Sequence, residues 1–348
     1  MTLLIYGAYG YTGELVSRAA VDRGRDPILA GRDGDAVRDL GRELRCSVRE
    51  FDLAIPEAVA ESVRDVDAVL NCAGPFAATA EPLVDACIEG RTDYLDVTGE
   101  WQVFRSIAER DHDATDADVT LLPGVGFDVV PTDCLAAALV ERLPDATELA
   151  LGFDADGMVS RGTARTAVRG LGAGVVVRKD GALVRLPAGG SSRRIDFGRG
   201  ERDAIAVPWG DVVTAAHTTE IGNVTVYAAL HPRLVRTVRL VRPLAPLLRT
   251  RPVRWLLDRI VAARVDGPTP AERAENEVYV WGEARTDDGR VVSERLRTPD
   301  PYVLTVETSL AAADRVLSGE APAGFTTPAS AFGSAFVDVV DGVEWLDR

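Results

Sequence analysis

The chain has 348 residues, 54 acidic and 39 basic side chains, a formal charge of −15 and 46 % hydrophobic residues. That hydrophobic share excludes wholesale disorder, and the length fits two domains of about 100–200 residues. The acidic balance excludes a general nucleic-acid binder, which needs a dominant basic surface.

Residues 2–6 read as a strand and lack the basic and apolar stretches of a signal peptide, so a cytoplasmic protein is expected. Further strands are predicted at 27–31, 46–51, 66–72, 92–97 and 118–122, and helices at 11–24, 35–45, 56–64, 79–90 and 101–115. Apolar runs such as 68–72 suit strands covered on both faces. The alternation predicts a Rossmann-type, doubly wound parallel sheet over residues 1–130.

After Pro131 the pattern changes. A helix over 131–143 precedes a strand near 148–154 and a hairpin of 175–178 with 182–186, turning at Lys179-Asp180-Gly181. Strands near 203–207, 223–230, 276–286 and 290–297 and helices near 302–319 and 328–335 follow. They predict a second, α+β domain over 131–348 with an antiparallel sheet, serving substrate binding and oligomerisation. Its C-terminal helices have the option of packing back on the first domain, and a homo-oligomer is expected.

The first strand runs into Gly7-Ala8-Tyr9-Gly10-Tyr11-Thr12-Gly13 and then an amphipathic helix. Glycines at 7, 10 and 13 allow a sharp turn and close approach to a pyrophosphate, which Tyr11 and Thr12 meet at the helix N-terminus. Arg32 follows the second strand, ahead of Asp33. A guanidinium there suits the 2′-phosphate of NADP(H), where a carboxylate would suit NAD. Asp52, after the third strand, is expected at the adenine edge. The small residues Cys72, Ala73, Gly74 and Pro75 are expected against the nicotinamide half, with Cys72 a space-filler.

Lys179 is the only lysine among the 39 basic residues. Arg-rich codon usage or a salt-rich cytoplasm would each produce that bias. Val175 stands four positions before it, which excludes the Tyr-x-x-x-Lys arrangement of short-chain dehydrogenases. Cysteines at 46, 72, 87 and 134 lack metal-ligand spacing, so no metal is expected. Of three histidines only His217 is considered for proton transfer, His112 lying on a polar helix end and His231 before Pro232.

Gly7–Gly13, residues 29–32, 71–76, 94–100, 123–133 and 319–328 together resemble the saccharopine dehydrogenase-like oxidoreductases, within them the trans-acting enoyl reductase branch. Tyr9 departs from the pattern, which more often has Thr. The resemblance implies an NADP(H) domain, a substrate domain and hydride transfer, with enoyl reduction of a lipid-like chain as the favoured reaction. Saccharopine-type imine chemistry and a non-catalytic NADP-binding regulator or scaffold are the alternatives. For an enoyl reduction, Tyr94 or Asp128 is the candidate proton source, and Asp128 has a competing role as cap of the helix after Pro131. Thr98, Gly99, Glu100, Gly124, Gly126 and Phe127 are the candidate substrate-side residues, with backbone N–H groups of Gly124 and Gly126 and Thr98 as donors to an enolate oxygen.

Residues 231–265 carry nine arginines and one acid, Asp258, interleaved with apolar residues and Trp255. Such a segment fits an anionic membrane surface, an acidic carrier protein or the chain's own acidic body. A peripheral membrane location is therefore a further expectation.

Overall fold

Buried apolar strands that alternate with amphipathic helices leave one economical arrangement, a parallel sheet covered on both faces. The computed structural model describes residues 1–155, 174–187, 189–229 and 276–347. It divides into two compact units, one of Met1–Cys134 with Pro301–Val340 and the other of Leu135–Asp300 with Asp341–Arg348.

In the first unit the strands are β1 (Leu3–Tyr6), β2 (Ile28–Gly31), β3 (Val48–Glu50), β4 (Ala68–Asn71), β5 (Asp93–Asp96) and β6 (Thr120–Leu122). A short β15 (Gly324–Phe325) extends the sheet beside β6. The order β15-β6-β5-β4-β1-β2-β3 is parallel at every pairing. Helices α1 (Tyr11–Asp22), α2 (Gly34–Leu44), α3 (Pro56–Val63), α4 (Phe76–Gly90), α5 (Trp101–Ala108) and α6 (Asp111–Ala117) alternate with the strands. The predicted helix 101–115 is thus two helices. Asp111 and Asp113 start the second, where acidic residues complement a helix N-terminus. Leu4, Ile5, Val69, Leu70, Leu95 and Leu121 are fully buried in the central strands.

Helix α7 (Val130–Arg142) carries the chain across the boundary between the two units. The second unit holds β7 (Glu148–Asp154), β8 (Val175–Lys179), β9 (Ala182–Leu186), β10 (Ser192–Asp196), β11 (Glu201–Ala206), the short α8 (Thr214–Thr219), β12 (Asn223–Ala229), β13 (Glu277–Arg285), β14 (Val291–Pro299) and β16 (Glu344–Trp345). Its sheet is mixed where an antiparallel one was expected: β7 and β12 pair in parallel. The long chain between those two strands permits a crossover, which a parallel pair requires. The β8–β9 turn is narrower than predicted. Asp180 (φ 49°) and Gly181 (φ 78°) form it, and Lys179 ends the strand. Two left-handed residues in a row match the twist of the flanking strands. On the face toward α7, Gly282 leaves room for Leu139, whose Cδ1 would stand 2.7 Å from a Cβ at that position.

Helix α9 (Pro301–Leu317) and α10 (Pro328–Phe332) complete the first unit. The expected boundary at 130/131 falls inside α7, and residues 301–340 fold with the first unit. The Arg-rich segment 231–265 lies outside the described residues. Among the described residues no helix is long and apolar enough to cross a membrane, and no cluster of His, Cys, Asp and Glu would hold a metal ion.

Candidate cofactor and substrate site

In the first unit β1 is flanked by β2 on one side and β4 on the other, so the strand order reverses beside it. Open α/β sheets bind ligands at that switch point, beyond the strand C-termini. Gly7 turns the chain there with φ +80°, and a Cβ on it would stand 2.8–2.9 Å from Ala73. A side chain at 7 would separate the β1–α1 turn from the β4–α4 loop. A Cβ on Gly13 would meet the Gly7 carbonyl at 2.1 Å, so this glycine seats α1 against the turn. Gly10 is the N-cap of α1, and its N–H donates to the Gly7 carbonyl at 2.9 Å. Thr12 and Gly13 lie in the first turn of α1, where amide N–H groups lack helical acceptors. Tyr11 is 45 % exposed and meets Tyr302 of α9 edge-on, ring centroids 4.7 Å apart.

Arg32 is exposed at the end of β2 and makes no hydrogen bond or ion pair among the described residues. Asp33 is committed elsewhere: it is the N-cap of α2 and accepts the Ala36 N–H at 3.1 Å. The carboxylate that would have bound an NAD ribose therefore serves the helix, and the guanidinium faces water. Asp52 accepts the Ala54 N–H at 3.0 Å in a turn after β3. The Cys72 thiol is pushed up to about 12 by burial, then by Asp96, which makes it an inert filler. Gly74 and Pro75 are exposed at the β4–α4 loop.

Strands β4, β5 and β6 end in a shared polar network. Asn71 Nδ2 donates to Tyr94 Oη and to Thr79 Oγ1, both at 3.2 Å, and Asn71 Oδ1 accepts the Ala73 N–H at 2.9 Å. Tyr94 Oη donates to Asp96 Oδ2 at 2.9 Å. Asp96 Oδ1 accepts the N–H of Thr98 at 3.0 Å and that of Gly124 at 2.9 Å. One buried carboxylate thus ties the β5–α5 loop to the β6–α7 loop. Burial raises its pKa to about 6 against these hydrogen bonds, which pull it down.

This network corrects several expectations. Tyr94 is fully buried and its hydroxyl is spent on Asp96, so it does not face a substrate as a proton source. Burial drives its phenol well above the ordinary value. The N–H groups of Thr98 and Gly124 hold Asp96 rather than an enolate oxygen, and Thr98 Oγ1 accepts the Glu100 N–H at 3.1 Å. Glu100 accepts the N–H groups of Phe76 (3.0 Å) and Ala77 (3.3 Å), capping α4, whose N-cap residue Pro75 has no side-chain acceptor.

Asp128 and Gly99 come together. A Cβ on Gly99 would stand 2.5 Å from Asp128 Oδ2, so only glycine admits the carboxyl there. Asp128 lies two residues before α7 begins, is half-buried, and burial pushes its carboxyl up to about 6. Helix α9 fixes this loop: Phe127 N–H donates to Thr305 Oγ1 at 3.0 Å, Thr308 Oγ1 donates to the Val125 carbonyl at 2.7 Å, and Gly126 abuts Thr305. His217 belongs to the second unit, exposed near the end of α8. Sequence reasoning left Asp96, Asn71, Thr305 and Thr308 out of the site. The signal for Asn71 was a polar residue ending an otherwise apolar strand, and for Asp96 an acid directly after Tyr94-Leu95 at a strand end.

Glycine-rich turn, helix N-terminus and switch point define a Rossmann-type dinucleotide-binding domain. Residues 3–122 match the family described as the saccharopine dehydrogenase NADP binding domain. That domain match supports NADP(H) as the cofactor, with which an exposed Arg32 and an engaged Asp33 agree. The human saccharopine dehydrogenase-like oxidoreductase is 30 % identical over 38 % of this chain and 35 % of its own length. A trans-acting enoyl reductase of Mycobacterium bovis is 29 % identical over 40 % of this chain and 35 % of its own. The chain thus matches about a third of the length of these relatives. Apo saccharopine dehydrogenase (L-Glu forming) of Saccharomyces cerevisiae shares the fold, with a TM-score of 0.65 at 12 % identity over 97 % of this chain and 96 % of that one.

Proposed function

We propose that the chain is an NADP(H)-dependent oxidoreductase that reduces an enoyl C=C bond in a hydrophobic, lipid-like substrate. The observation that carries the proposal is Asp128, a half-buried carboxyl set against Gly99 at the C-terminal edge of the parallel sheet. NADPH, when bound, supplies hydride. The turn at Gly7, Gly10 and Gly13 with the α1 N-terminus would hold its pyrophosphate, and Arg32 its 2′-phosphate. Hydride addition at the β-carbon leaves negative charge on the substrate carbonyl and calls for a proton at the α-carbon. A carboxyl with a pKa near 6 is a competent donor near neutral pH. Thr305 and Thr308 hold the loop that carries it, and Asp96 fixes both flanking loops. The enoyl choice is supported by the name of the M. bovis relative.

NADPH oxidation by the full chain, followed by absorbance with a panel of 2-enoyl thioesters and of imines formed from an amino acid and a keto acid, tests the reading. Turnover confined to the enoyl substrates is expected. Turnover only with imines would replace the acceptor with a saccharopine-type one. NADPH binding without oxidation of any member would point to a non-catalytic role.

A further inference from the structure

The side chain of Tyr9, in the phosphate turn, reaches the end of β2. Its ring lies over Gly31, where a Cβ would stand 2.4 Å from Tyr9 Cε1, so the strand ends in glycine to admit it. Its hydroxyl oxygen accepts the Asp33 N–H at 3.2 Å. A phenol that accepts one hydrogen bond still has its own O–H to donate.

The surrounding charges are sorted in one direction. Asp33 is occupied with capping α2. Asp35 and Glu50 are both held by Arg38, at 2.8 and 2.6 Å. Arg32 stands exposed without an ion pair among the described residues. Tyr6 lies within reach of the same groups: burial first, then Tyr9 and Asp52, raise its phenol to about 12, and Arg32 opposes them. The end of β2 therefore offers an uncommitted cation and a hydroxyl donor, while Arg38 offsets the charges of Asp35 and Glu50 and the Asp33 carboxylate is turned to the α2 N-terminus. This combination suits a phosphate monoester better than a neutral ribose diol.

We propose that Tyr9 completes the 2′-phosphate site with Arg32, its hydroxyl donating to the phosphate and so selecting NADP(H) over NAD(H). Tyr9 also braces the turn, since the Asp33 N–H that it accepts opens the helix that Asp33 caps.

The test needs no substrate and no nicotinamide. Adenosine 2′,5′-bisphosphate and AMP are titrated calorimetrically into the full chain, wild type, Tyr9→Phe and Arg32→Ala. Tyr9→Phe keeps the ring over Gly31 and removes only the hydroxyl. It is expected to weaken the bisphosphate about fivefold, the order that one hydrogen bond supplies, and to leave AMP unchanged. Arg32→Ala is expected to weaken the bisphosphate more, because a charge-assisted contact is lost. An unchanged bisphosphate affinity in Tyr9→Phe, or equal losses for both ligands, would overturn the proposal. So would an Arg32→Ala chain that binds the bisphosphate as tightly as wild type does, since the phosphate would then lie away from this turn.

Discussion

Asp96 and Asp128 are both held up to about 6 by burial, yet their surroundings give them different work. Asp96 is fully buried and its carboxylate is occupied by Tyr94, Thr98 and Gly124. A carboxyl whose native pKa lies above its unfolded value of about 4 binds more protons in the native state between those values. Its contribution therefore favours folding at low pH and is lost as pH rises through about 6. Asp96→Asn keeps an oxygen for the two N–H donors and removes the charge, so its unfolding free energy in urea should depend less on pH between about 4 and 6 than the wild type's. An unaltered slope would mean that other groups set it. Asp128 is the group with access. If its protonated form delivers the proton, kcat should fall as pH rises through about 6. Asp128→Asn should lose most turnover, flatten that profile and leave the NADPH dissociation constant within twofold. Full turnover in Asp128→Asn would remove it from the chemistry.

At the scale of elements, helix α4 shows how a residue chosen for chemistry can belong to architecture. Its first turn follows Pro75, which has no side-chain acceptor, and Glu100 from the β5–α5 loop accepts the two leading N–H groups instead. Removing such a cap typically costs about 1–2 kcal/mol. Glu100→Ala should lower the urea midpoint accordingly, while Glu100→Gln, which retains one acceptor, should lose less; equal stability of Glu100→Ala and wild type would contradict the capping role. The phosphate turn was legible in sequence because its signal is local: three glycines, a strand before and a helix after. The cap was not, since Glu100 and Phe76 are far apart in the chain and neither pattern announces the other. Gly124 failed for the same reason, its N–H being claimed by Asp96 on the neighbouring strand. Asp180-Gly181 was nearly right because a hairpin turn is a short-range signal, misplaced only by including Lys179.

For the whole molecule, the alternation of strands and helices disclosed the parallel sheet, but not where the first unit ends in sequence. That unit is discontinuous, and residues 301–340 complete it. Strand β15 pairs with β6, Thr305 and Thr308 hold the loop that carries Asp128, and Arg23 and Arg25 of the α1 end pair with Glu307 and Asp314 of α9. Nothing in the local pattern of 301–340 names those partners, because helix periodicity reports an apolar face and not what covers it. A fragment of residues 1–134 would leave the β6 edge that β15 pairs and the α1 surface that α9 packs on uncovered, and would leave the 123–130 loop without its two threonine anchors. It should therefore show a broad thermal transition and bind NADPH at least tenfold more weakly than the full chain. Joining 1–134 to 301–340 through a flexible Gly-Ser linker should restore a cooperative transition and NADPH binding, because every contact just named lies within those two segments. Circular dichroism with NADPH fluorescence titration decides it. A 1–134 fragment that melts sharply and binds NADPH as the full chain does would show that the C-terminal helix adorns the cofactor fold rather than completing it.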